Sequence, residues 1–519
     1  METHWGEIPD RHLRDMSMAE VHEYLSASRS SRRSFLRGMA AAAAVGVAGP
    51  MLWRQSARAA SAPPTAAHLA FGTDPRTEMV VSWKGGAGTL LVDRGHGLEP
   101  VATPEAMRTG SSYPTEYFRA DVSDLVAGQS YPYAVTNEHG SLGGTLTTAP
   151  DPAEAASFRF TAFGDMGVAG STSTADDPRA VMSVLQQREP DLNFFVGDLC
   201  YAYRTGGLTP LEPTGRIAMD EHIWDDWLDL MSQVGATTPW MCTVGNHEME
   251  PGYGPLGYGG FTTRLHVPVG SVLPTTDLSG ELRLSRLANP YDTNHPAPPV
   301  YAFQYGNVGF VALDANDASY EIDNNRGYLG AAQDQWLRDT LAAMRSPQST
   351  VDFIVVGFHH CAYCTNAVHG SDDGVRGRWQ PLFDEFSVDL VVNGHNHSYE
   401  RTHAIRRSAT GFGAEVVQEA PFSPADPVEV DSSRGTTYIT AGGGGQATYP
   451  TLLYPGSVLT VEGNVRIPED ASWSAVRVTN HSLISVDVRS DDGAGRPVMD
   501  ITGLDKSGAV IDRVLLTRG

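Results

Sequence analysis

Five short motifs between residues 164 and 397 combine a glycine with side chains that can bind metal ions. A glycine beside such a residue permits the tight turn that a chain needs where it leaves a strand. A single Gly-Asp or Asn-His pair is common in ordinary turns, but five such motifs in one stretch indicate a shared site. The motifs are Gly164-Asp165-Met166-Gly167, Gly197-Asp198-Leu199-Cys200-Tyr201, Gly245-Asn246-His247-Glu248, Val356-Gly357-Phe358-His359 and Gly394-His395-Asn396-His397.

The donor atoms of these motifs favour a two-metal centre. Hard oxygen ligands together with imidazoles suit iron, manganese or zinc better than a thiolate site. His395 and His397 are two residues apart, so on an extended segment both point the same way and can reach adjacent ions. Two ions about 3.5 to 4 Å apart need a bridging ligand, which the two oxygens of Asp198 can supply. The candidate metal ligands are Asp165, Asp198, Tyr201, Asn246, His359, His395 and His397.

Alternating strands and helices would position these motifs. From Phe158 onward, apolar runs alternate with helical patterns, which is typical of α/β layering with buried strands. In such folds ligands gather at the carboxyl ends of strands, which is where the five motifs stand. The pattern predicts strands at 158–163, 192–196, 240–244, 308–313, 351–357 and 388–392, and helices at 177–188, 221–234, 331–344 and 375–386.

The regions on either side are rich in strands. From 62 to 153, short strand patterns separated by turn residues predict a β-sandwich. A linker rich in Pro, Ala and Asp at 149–156 precedes the α/β region, which we place at 157–449. Strand patterns return at 468–519 and predict a small C-terminal β unit.

The first 59 residues have the pattern of an export signal. Ser31-Arg32-Arg33-Ser34-Phe35-Leu36-Arg37 precedes an apolar run from Met39 to Leu52, and Ala57-Arg58-Ala59 then fits an A-x-A cleavage site. The run is too short for a transmembrane helix, and no later window reaches about 18 uninterrupted apolar residues. We expect a twin-arginine signal at 1–59 and a secreted, periplasmic or cell-surface protein without stable membrane insertion.

Composition excludes several classes of protein. The chain has 519 residues, 41% hydrophobic and 19% charged, which is typical of a soluble globular protein of several domains. Its 37 Lys and Arg stand against 61 Asp and Glu, giving a net charge of −24. Because such a surface repels phosphate backbones and anionic lipid, we exclude nucleic acid as a bulk partner.

Four cysteines permit a disulfide without requiring one, and spacing leaves three full pairings open. Cys361 and Cys364 form a C-x-x-C, but no second such pair completes a zinc knuckle. We expect a structural or idle role for this pair.

In this order the five motifs resemble the signature of the calcineurin-like metallophosphoesterases, and Tyr201 within G-D-x-x-Y narrows the resemblance to the purple acid phosphatases. The run His395-Asn-His-Ser-Tyr-Glu-Arg401 is similar to that family's extended last motif. The resemblance covers about 62–449, including the glycine loop 442–445. It implies a multidomain α+β and α/β fold: a fibronectin-III-like β-sandwich, then a four-layer αββα metallophosphoesterase domain, followed here by the small C-terminal β unit.

The resemblance also implies the metal ions and their ligands. Asp198 would bridge the two ions. Ferric iron would be held by Asp165, Asp198, Tyr201 and His397. A divalent Fe, Zn or Mn ion would be held by Asp198, Asn246, His359 and His395.

The activity that the resemblance implies is that of an acid phosphatase. Small phosphate monoesters would be hydrolysed by in-line attack of a metal-bound hydroxide. His247, adjacent to Asn246, and His369, ten residues after His359, match the family's outer histidines and would protonate the leaving alkoxide. The Cys361 to Cys364 segment departs from the common sequence of this loop, so His360 could compete for the role of His369.

Two other functions stay open at this point. The same ligands would serve a phosphodiesterase or nucleotidase, with pocket loops such as 252–261 and 282–299 selecting the ester. A cell-surface binding protein with structural metals is the second, although a structural site would not need His247 and His369. The sequence leaves the oligomeric state open.

Overall fold

The computed structural model of the chain describes residues 62–102, 104–107, 113–154, 157–168, 176–203, 219–250, 253, 256–268, 272–276, 282–284, 299–409, 413–423, 426–450, 456–460 and 465–518. The predicted export signal at 1–59 and most of the pocket loop at 282–299 lie outside the described residues. In the part of the chain that is described, no helix combines the length and the apolar character needed to cross a membrane.

The N-terminal region forms the β-sandwich that its strand pattern predicts. Its strands are β1 (Pro64–Phe71), β2 (Met79–Gly85), β3 (Thr89–Asp93), β4 (Leu98–Ala102), β5 (Glu105–Met107), β6 (Tyr117–Val122), β7 (Ser130–Asn137) and β8 (Gly140–Thr147). They form two four-stranded sheets, in the orders β1-β2-β6-β5 and β4-β3-β7-β8. Buried side chains such as Leu69, Trp83, Leu90 and Val135 fill the space between the sheets.

One carboxylate makes several of the polar contacts between the sandwich and the following domain. Asp225 accepts hydrogen bonds from the hydroxyls of Tyr113 at 2.8 Å, Thr115 at 2.6 Å and Tyr117 at 2.8 Å. The two regions therefore share a polar contact in addition to apolar packing.

The rest of the chain contains the predicted alternation of strands and helices. The helices are α1 (Asp176–Arg188), α2 (His222–Gly235), α3 (Gly259–Arg264), α4 (Ala332–Met344) and α5 (Asp373–Glu385). The strands up to the last helix are β9 (Ser157–Phe163), β10 (Leu192–Val196), β11 (Trp240–Thr243), β12 (Val272–Thr276), β13 (Leu282–Leu284), β14 (Tyr301–Tyr305), β15 (Val308–Ala312), β16 (Phe353–Gly357) and β17 (Ser371–Asp372). Those after it are β18 (Leu390–Asn393), β19 (Tyr399–Thr402), β20 (Ala404–Arg407), β21 (Ala414–Gln418), β22 (Val428–Asp431), β23 (Thr437–Ala441), β24 (Gly456–Thr460), β25 (Val465–Glu469), β26 (Ser474–Val478), β27 (Ser482–Arg489), β28 (Val498–Asp505) and β29 (Val510–Thr517).

Two seven-stranded sheets form the centre of this domain. Their orders are β11-β10-β9-β27-β28-β29-β22 and β14-β15-β16-β18-β23-β19-β26. The two sheets pack face to face, and aromatic side chains meet between them. The ring centroid of Phe310 in the second sheet lies 5.1 Å from that of Phe160 and 5.4 Å from that of Phe194 in the first. Successive residues of a strand face opposite ways, so Phe195 points instead to Trp227 of α2.

Helices cover the outer faces of both sheets. Trp227 of α2 packs on the first sheet, and Trp379 of α5 contacts Phe358 at the end of β16 with ring centroids 5.0 Å apart. The result is a layered helix, sheet, sheet, helix arrangement in which the central strands of each sheet are buried on both faces. This burial explains why the strand Leu192–Val196 is apolar apart from one asparagine.

The C-terminal strands differ from the sequence prediction of a separate small β unit at 468–519. Strand β27 pairs antiparallel with β9, Ile484 lying opposite Ala162, and β28 and β29 extend the same sheet. Strand β26 pairs with β19 in the second sheet. Without a partner on this side, β9 would be an edge strand with unpaired backbone N–H and C=O groups. Pairing with β27 satisfies these groups, which is why the late strands join this sheet.

Candidate metal centre

The five motifs converge because each follows a parallel strand of one of the two sheets. Strands β9, β10 and β11 run parallel to one another, as do β15, β16, β18 and β23. Asp165, Asp198, His359 and His395 each lie two residues beyond their strand, and Asn246 lies three beyond β11. The carboxyl ends of both sheets thus meet at one place, and all seven predicted ligands are at most 5% exposed there.

Backbone strain is concentrated at these residues. Asp165, Asp198, Tyr201 and His395 all have a positive φ, between 54° and 66°. For residues other than glycine this left-handed conformation costs free energy and is held only where the surrounding fold enforces it. Four of the seven predicted ligands therefore have this backbone conformation at the place where the strand ends meet.

Asp165, Tyr201 and His397 form the first group of donor atoms. The Tyr201 hydroxyl lies 3.1 Å from Oδ1 of Asp165 and 3.0 Å from Nε2 of His397. The same Oδ1 atom lies 3.4 Å from Nε2 of His397. Burial, followed by the charges of Asp165 and Asp198, raises the pKa of Tyr201 well above its ordinary value. A bound cation would have the opposite effect and favour the phenolate.

Asp198, His359 and His395 form the second group, with their potential ligand atoms within 4.8 Å of one another. His359 Nε2 lies 3.1 Å from Oδ2 of Asp198 and 3.9 Å from Oδ1 of Asp165. Oxygens of both carboxylates therefore approach the same nitrogen of His359, which connects the two groups.

The electrostatics of this centre call for positive charge. Burial lowers the pKa of His359, but Asp198 and Asp165 outweigh burial and raise that pKa to about 10. In the absence of a metal ion, the positive charge of protonated His359 balances the negative charges of the two carboxylates. Oxygen donors with neutral imidazoles are also the set that iron, zinc and manganese prefer. The residues present therefore fit a metal centre.

Backbone carbonyls fix the ring orientation of three histidines. The Nδ1 atoms of His359, His397 and His247 lie 2.9, 2.8 and 2.5 Å from the carbonyl oxygens of Val196, Ala447 and Tyr203. A carbonyl only accepts, so in the neutral form of each ring Nδ1 carries the proton and Nε2 offers its lone pair to the centre.

Asn246 and His247 occupy a short 3-10 helix, Asn246–Glu248, directly after β11. The backbone nitrogen of His247 donates to Oδ1 of Asp198 at 3.0 Å, and its Nε2 lies 3.8 Å from Oδ2. The structure therefore places His247 beside the predicted bridging ligand.

Glu248 is a functional residue to which the sequence reasoning gave no role. Its buried carboxylate accepts backbone hydrogen bonds from Gly245 at 2.7 Å, Asp198 at 2.8 Å and Leu199 at 2.9 Å. It ties the loop after β10 to the loop after β11. The signal was available, since Glu248 completes the Gly245-Asn246-His247-Glu248 motif.

Glu321 and Tyr449 also escaped the sequence reasoning. Glu321 lies in the loop after β15 and contacts His369 and His395. Strand β15 is parallel to its neighbour β16, but no glycine motif follows it. Tyr449 stacks on His397 with ring centroids 4.0 Å apart and lies 5.5 Å from His369. Neither residue belongs to a local pattern, so only the fold could reveal them.

His369 is 9% exposed, and its ring lies 4.0 Å from that of His395. The residues after it, Gly370-Ser371-Asp372, are attached to the small sheet that contains β24. Ser371 and Asp372 are buried and form β17, which pairs with β24. His360 lies behind, 4.4 Å from the ring of His395, and is fully buried.

The four cysteines are free and buried. The Cys361 thiol donates to the carbonyl of Gly394 at 2.9 Å, which connects the loop of His359 to that of His395. This contact agrees with the structural role expected for the C-x-x-C.

Comparison with known proteins agrees with the motifs. Residues 158–399 match the family model described as calcineurin-like phosphoesterase. An uncharacterised protein of Mycobacterium tuberculosis is 31% identical over 94% of this chain and 96% of its own length. Purple acid phosphatase 23 of Arabidopsis thaliana is 27% identical over 50% of this chain and 51% of its own. The purple acid phosphatase PPD1 from yellow lupin seeds has a similar fold, with a TM-score of 0.62 at 17% identity, covering 88% of this chain and 75% of the other.

Proposed function

Because this chain belongs to the purple acid phosphatase family of the calcineurin-like metallophosphoesterases, we propose that it hydrolyses phosphate monoesters at a centre of one ferric and one divalent ion. The observation that carries the proposal is the junction of the two donor groups at Asp165, Asp198 and His359. In this assignment Asp165, Asp198, Tyr201 and His397 hold the ferric ion. The divalent Fe, Zn or Mn ion is held by Asp198, Asn246, His359 and His395.

The bound ions would neutralise the charge of a phosphate ester and lower the pKa of a water molecule that attacks it. The protein holds the imidazoles in one tautomer, so that their lone pairs need no rearrangement when ions and substrate arrive. The centre is buried, which strengthens every charge interaction with the ester.

Two histidines at its border are placed to move protons and to hold oxygens of the phosphoryl group. His247 lies beside Asp198, and His369 lies beside His395. We assign to His369 the protonation of the leaving alkoxide, because its Nδ1 is held by Glu321 and its Nε2 stays available. His247 is assigned to the stabilisation of the transferring oxygens.

Asp198→Asn, compared with the wild-type protein, tests the metal centre. The variant should lose metal and activity together, because an amide cannot bridge two cations as a carboxylate does. Metal analysis should find two ions per chain in the wild-type protein, one of them iron. Two ions with normal turnover in Asp198→Asn would refute the proposed centre.

A second assay tests the choice of ester. The wild-type protein should turn over a nitrophenyl phosphate monoester faster than the matched diester across an acid-to-neutral pH series. Faster diester turnover would assign a phosphodiesterase to the same centre.

We propose that the mature protein is exported through the signal at 1–59. Arg32→Lys together with Arg33→Lys should retain the chain inside the cell, as fractionation would reveal. Unchanged export of this double variant would refute the twin-arginine assignment.

We further propose that the N-terminal sandwich is of the fibronectin type III class. The proposal is supported by its two sheets, in which β1, β2 and β6 are neighbours in one and β4, β3, β7 and β8 in the other. An experimental structure of residues 62–153 within the full chain would test this strand order.

A further inference from the structure

A single carboxylate lies between two histidines of the centre. Glu321 Oε1 lies 2.8 Å from Nδ1 of His369, and Oε2 lies 3.0 Å from Nε2 of His395. The Glu321 side chain is 12% exposed, so water competes little for these contacts. No motif in the sequence connects Glu321 to either histidine, from which it is 48 and 74 residues distant.

The contacts determine which ring nitrogen carries a proton. An ionised carboxylate only accepts hydrogen bonds, so the His369 Nδ1 and the His395 Nε2 must both donate. In His395 the lone pair is then on Nδ1. In His369 it is Nε2 that remains free of Glu321. Each oxygen of Glu321 therefore selects one orientation of one ring.

Neighbouring residues hold Glu321 in this position. Asp372 accepts hydrogen bonds from the hydroxyl of Ser319 at 2.6 Å and from the backbone nitrogen of Glu321 at 3.3 Å. Asp372 is three residues after His369, so it joins the two loops on which Glu321 and His369 lie. Arg466 of β25 lies 3.4 Å from Oε1 of Glu321 and also donates to the carbonyl of His369.

We infer that Glu321 is a positioning residue that directs Nδ1 of His395 to the divalent ion and Nε2 of His369 to the leaving group. The inference rests on the proposed function. A carboxylate behind a metal-binding histidine fixes its orientation and increases its basicity, and loss of such a partner typically costs about 10- to 100-fold in metal affinity. Here one carboxylate serves a metal ligand and the predicted acid together.

The test uses Glu321→Gln in the full chain, loaded with zinc. Two quantities are measured: the chelator concentration that removes each zinc ion, and the slope of log kcat against the leaving-group pKa of a series of aryl phosphates. The amide keeps the shape of Glu321 but can accept from only one of the two rings. We expect one zinc ion to be removed at about 10- to 100-fold lower chelator, the other to be unaffected, and the slope to become steeper.

Asp225→Asn is the matched control. Asp225 also accepts several side-chain hydrogen bonds and is 17% exposed, but its partners lie at the contact with the sandwich. This control should lower the unfolding temperature without changing zinc release or the slope.

If zinc release or the slope stays at the wild-type value in Glu321→Gln, the assignment of Glu321 is wrong. A lower unfolding temperature alone, as in the control, would also overturn it. A wild-type protein that binds no pair of metal ions when offered iron and zinc, or then hydrolyses none of the esters, would refute the proposed function instead.

Discussion

At the scale of single residues, the orientation of each histidine ring in the centre is set by the hydrogen-bond partner of one of its nitrogens. His359 and His397 donate from Nδ1 to carbonyl oxygens at or near the ends of strands, whereas His395 contacts a carboxylate through Nε2. Carbonyls are fixed by the backbone, so the orientation of His359 and His397 does not depend on another side chain. His395 depends on a side chain that a single substitution can remove.

Tyr201→Phe should abolish a visible absorption band of the iron-loaded protein. The Tyr201 hydroxyl is the only atom removed, and it lies within 3.1 Å of Asp165 and His397. The absorption spectrum of the purified holoprotein checks this expectation, with iron content measured on the same sample. An unchanged band would mean that the tyrosine is not coordinated.

His369→Ala should lower turnover by about 100-fold or more for esters with poor alkoxide leaving groups. A nitrophenyl ester should be much less affected, because its leaving group needs little protonation. Metal content should stay at the wild-type level, since the predicted ligand set does not include His369. Equal losses on both esters would indicate a role in phosphate positioning, and no loss on either would transfer the role to His247 or His360.

At the scale of elements, a small sheet made of β17, β24 and β25 holds the loop of His369. Ser371 pairs with Val458, and Arg376 of α5 forms a bidentate ion pair with Glu469 of β25 at 2.6 and 3.0 Å. Both partners are buried, so removal of one would leave an unpaired charge. Sequence patterns do not predict this attachment, because a strand of two residues produces no detectable alternation.

Gly370→Ala tests this attachment. Gly370 has a φ of 68°, and a Cβ atom there would lie 2.8 Å from the carbonyl oxygen of Ser457. We expect kcat to fall while both metal ions are retained, together with a destabilisation of about 1 to 2 kcal/mol. Gly413→Ala is the control, because its φ is 78° and no atom of the described residues lies within 4 Å of the added Cβ. Equal kcat values in the two variants would show that the loop is not held in this way.

The Asp314→Asn variant tests a pH dependence of stability. Burial raises the pKa of Asp314 to about 6, against hydrogen bonds from Tyr258 and Tyr328 that lower it. Because the folded pKa lies above the unfolded one, this carboxyl stabilises the fold below about pH 4, and its contribution is lost as pH rises through 6. The wild-type free energy of unfolding should therefore fall relative to the variant by as much as about 3 kcal/mol between pH 4 and pH 7. Parallel urea-denaturation curves for the two proteins across this range would contradict the assignment.

The elements show which features a sequence can predict. Helices α1, α2 and α4 begin and end within one residue of the predicted bounds, because apolar periodicity is local. The seven candidate ligands were identifiable for the same reason, since each belongs to a motif of a few residues at a strand end. Glu321 had no such neighbour, and its partners come together only through the topology of the second sheet.

At the scale of the whole molecule, the last strands complete the sheet that begins with β9. Apolar alternation identifies strand 482–489 but carries no information on its pairing partner β9, which is more than 300 residues earlier. A separate C-terminal unit was therefore the natural prediction, and the long-range register overturned it.

Ile484→Asp should destabilise the entire domain by more than about 3 kcal/mol, because an unpaired charge would be buried beside β9. Val510→Asp is the control on the same sheet, since Val510 is 46% exposed and should change stability by less than about 0.5 kcal/mol. Unfolding temperature and metal content check both variants. An Ile484→Asp protein as stable as the control would show that the terminal strands are an appendage.

The antiparallel pairing of β27 with β9 also sets the order in which the newly synthesised chain can mature. The ribosome makes β9 before β27, β28 and β29, so the edge of β9 that β27 covers stays unpaired throughout translation of the intervening residues. Asp165 lies in the loop that directly follows β9. The centre therefore acquires its final frame only after β27 has been synthesised, and until then the unpaired edge of β9 is open to pairing with other chains.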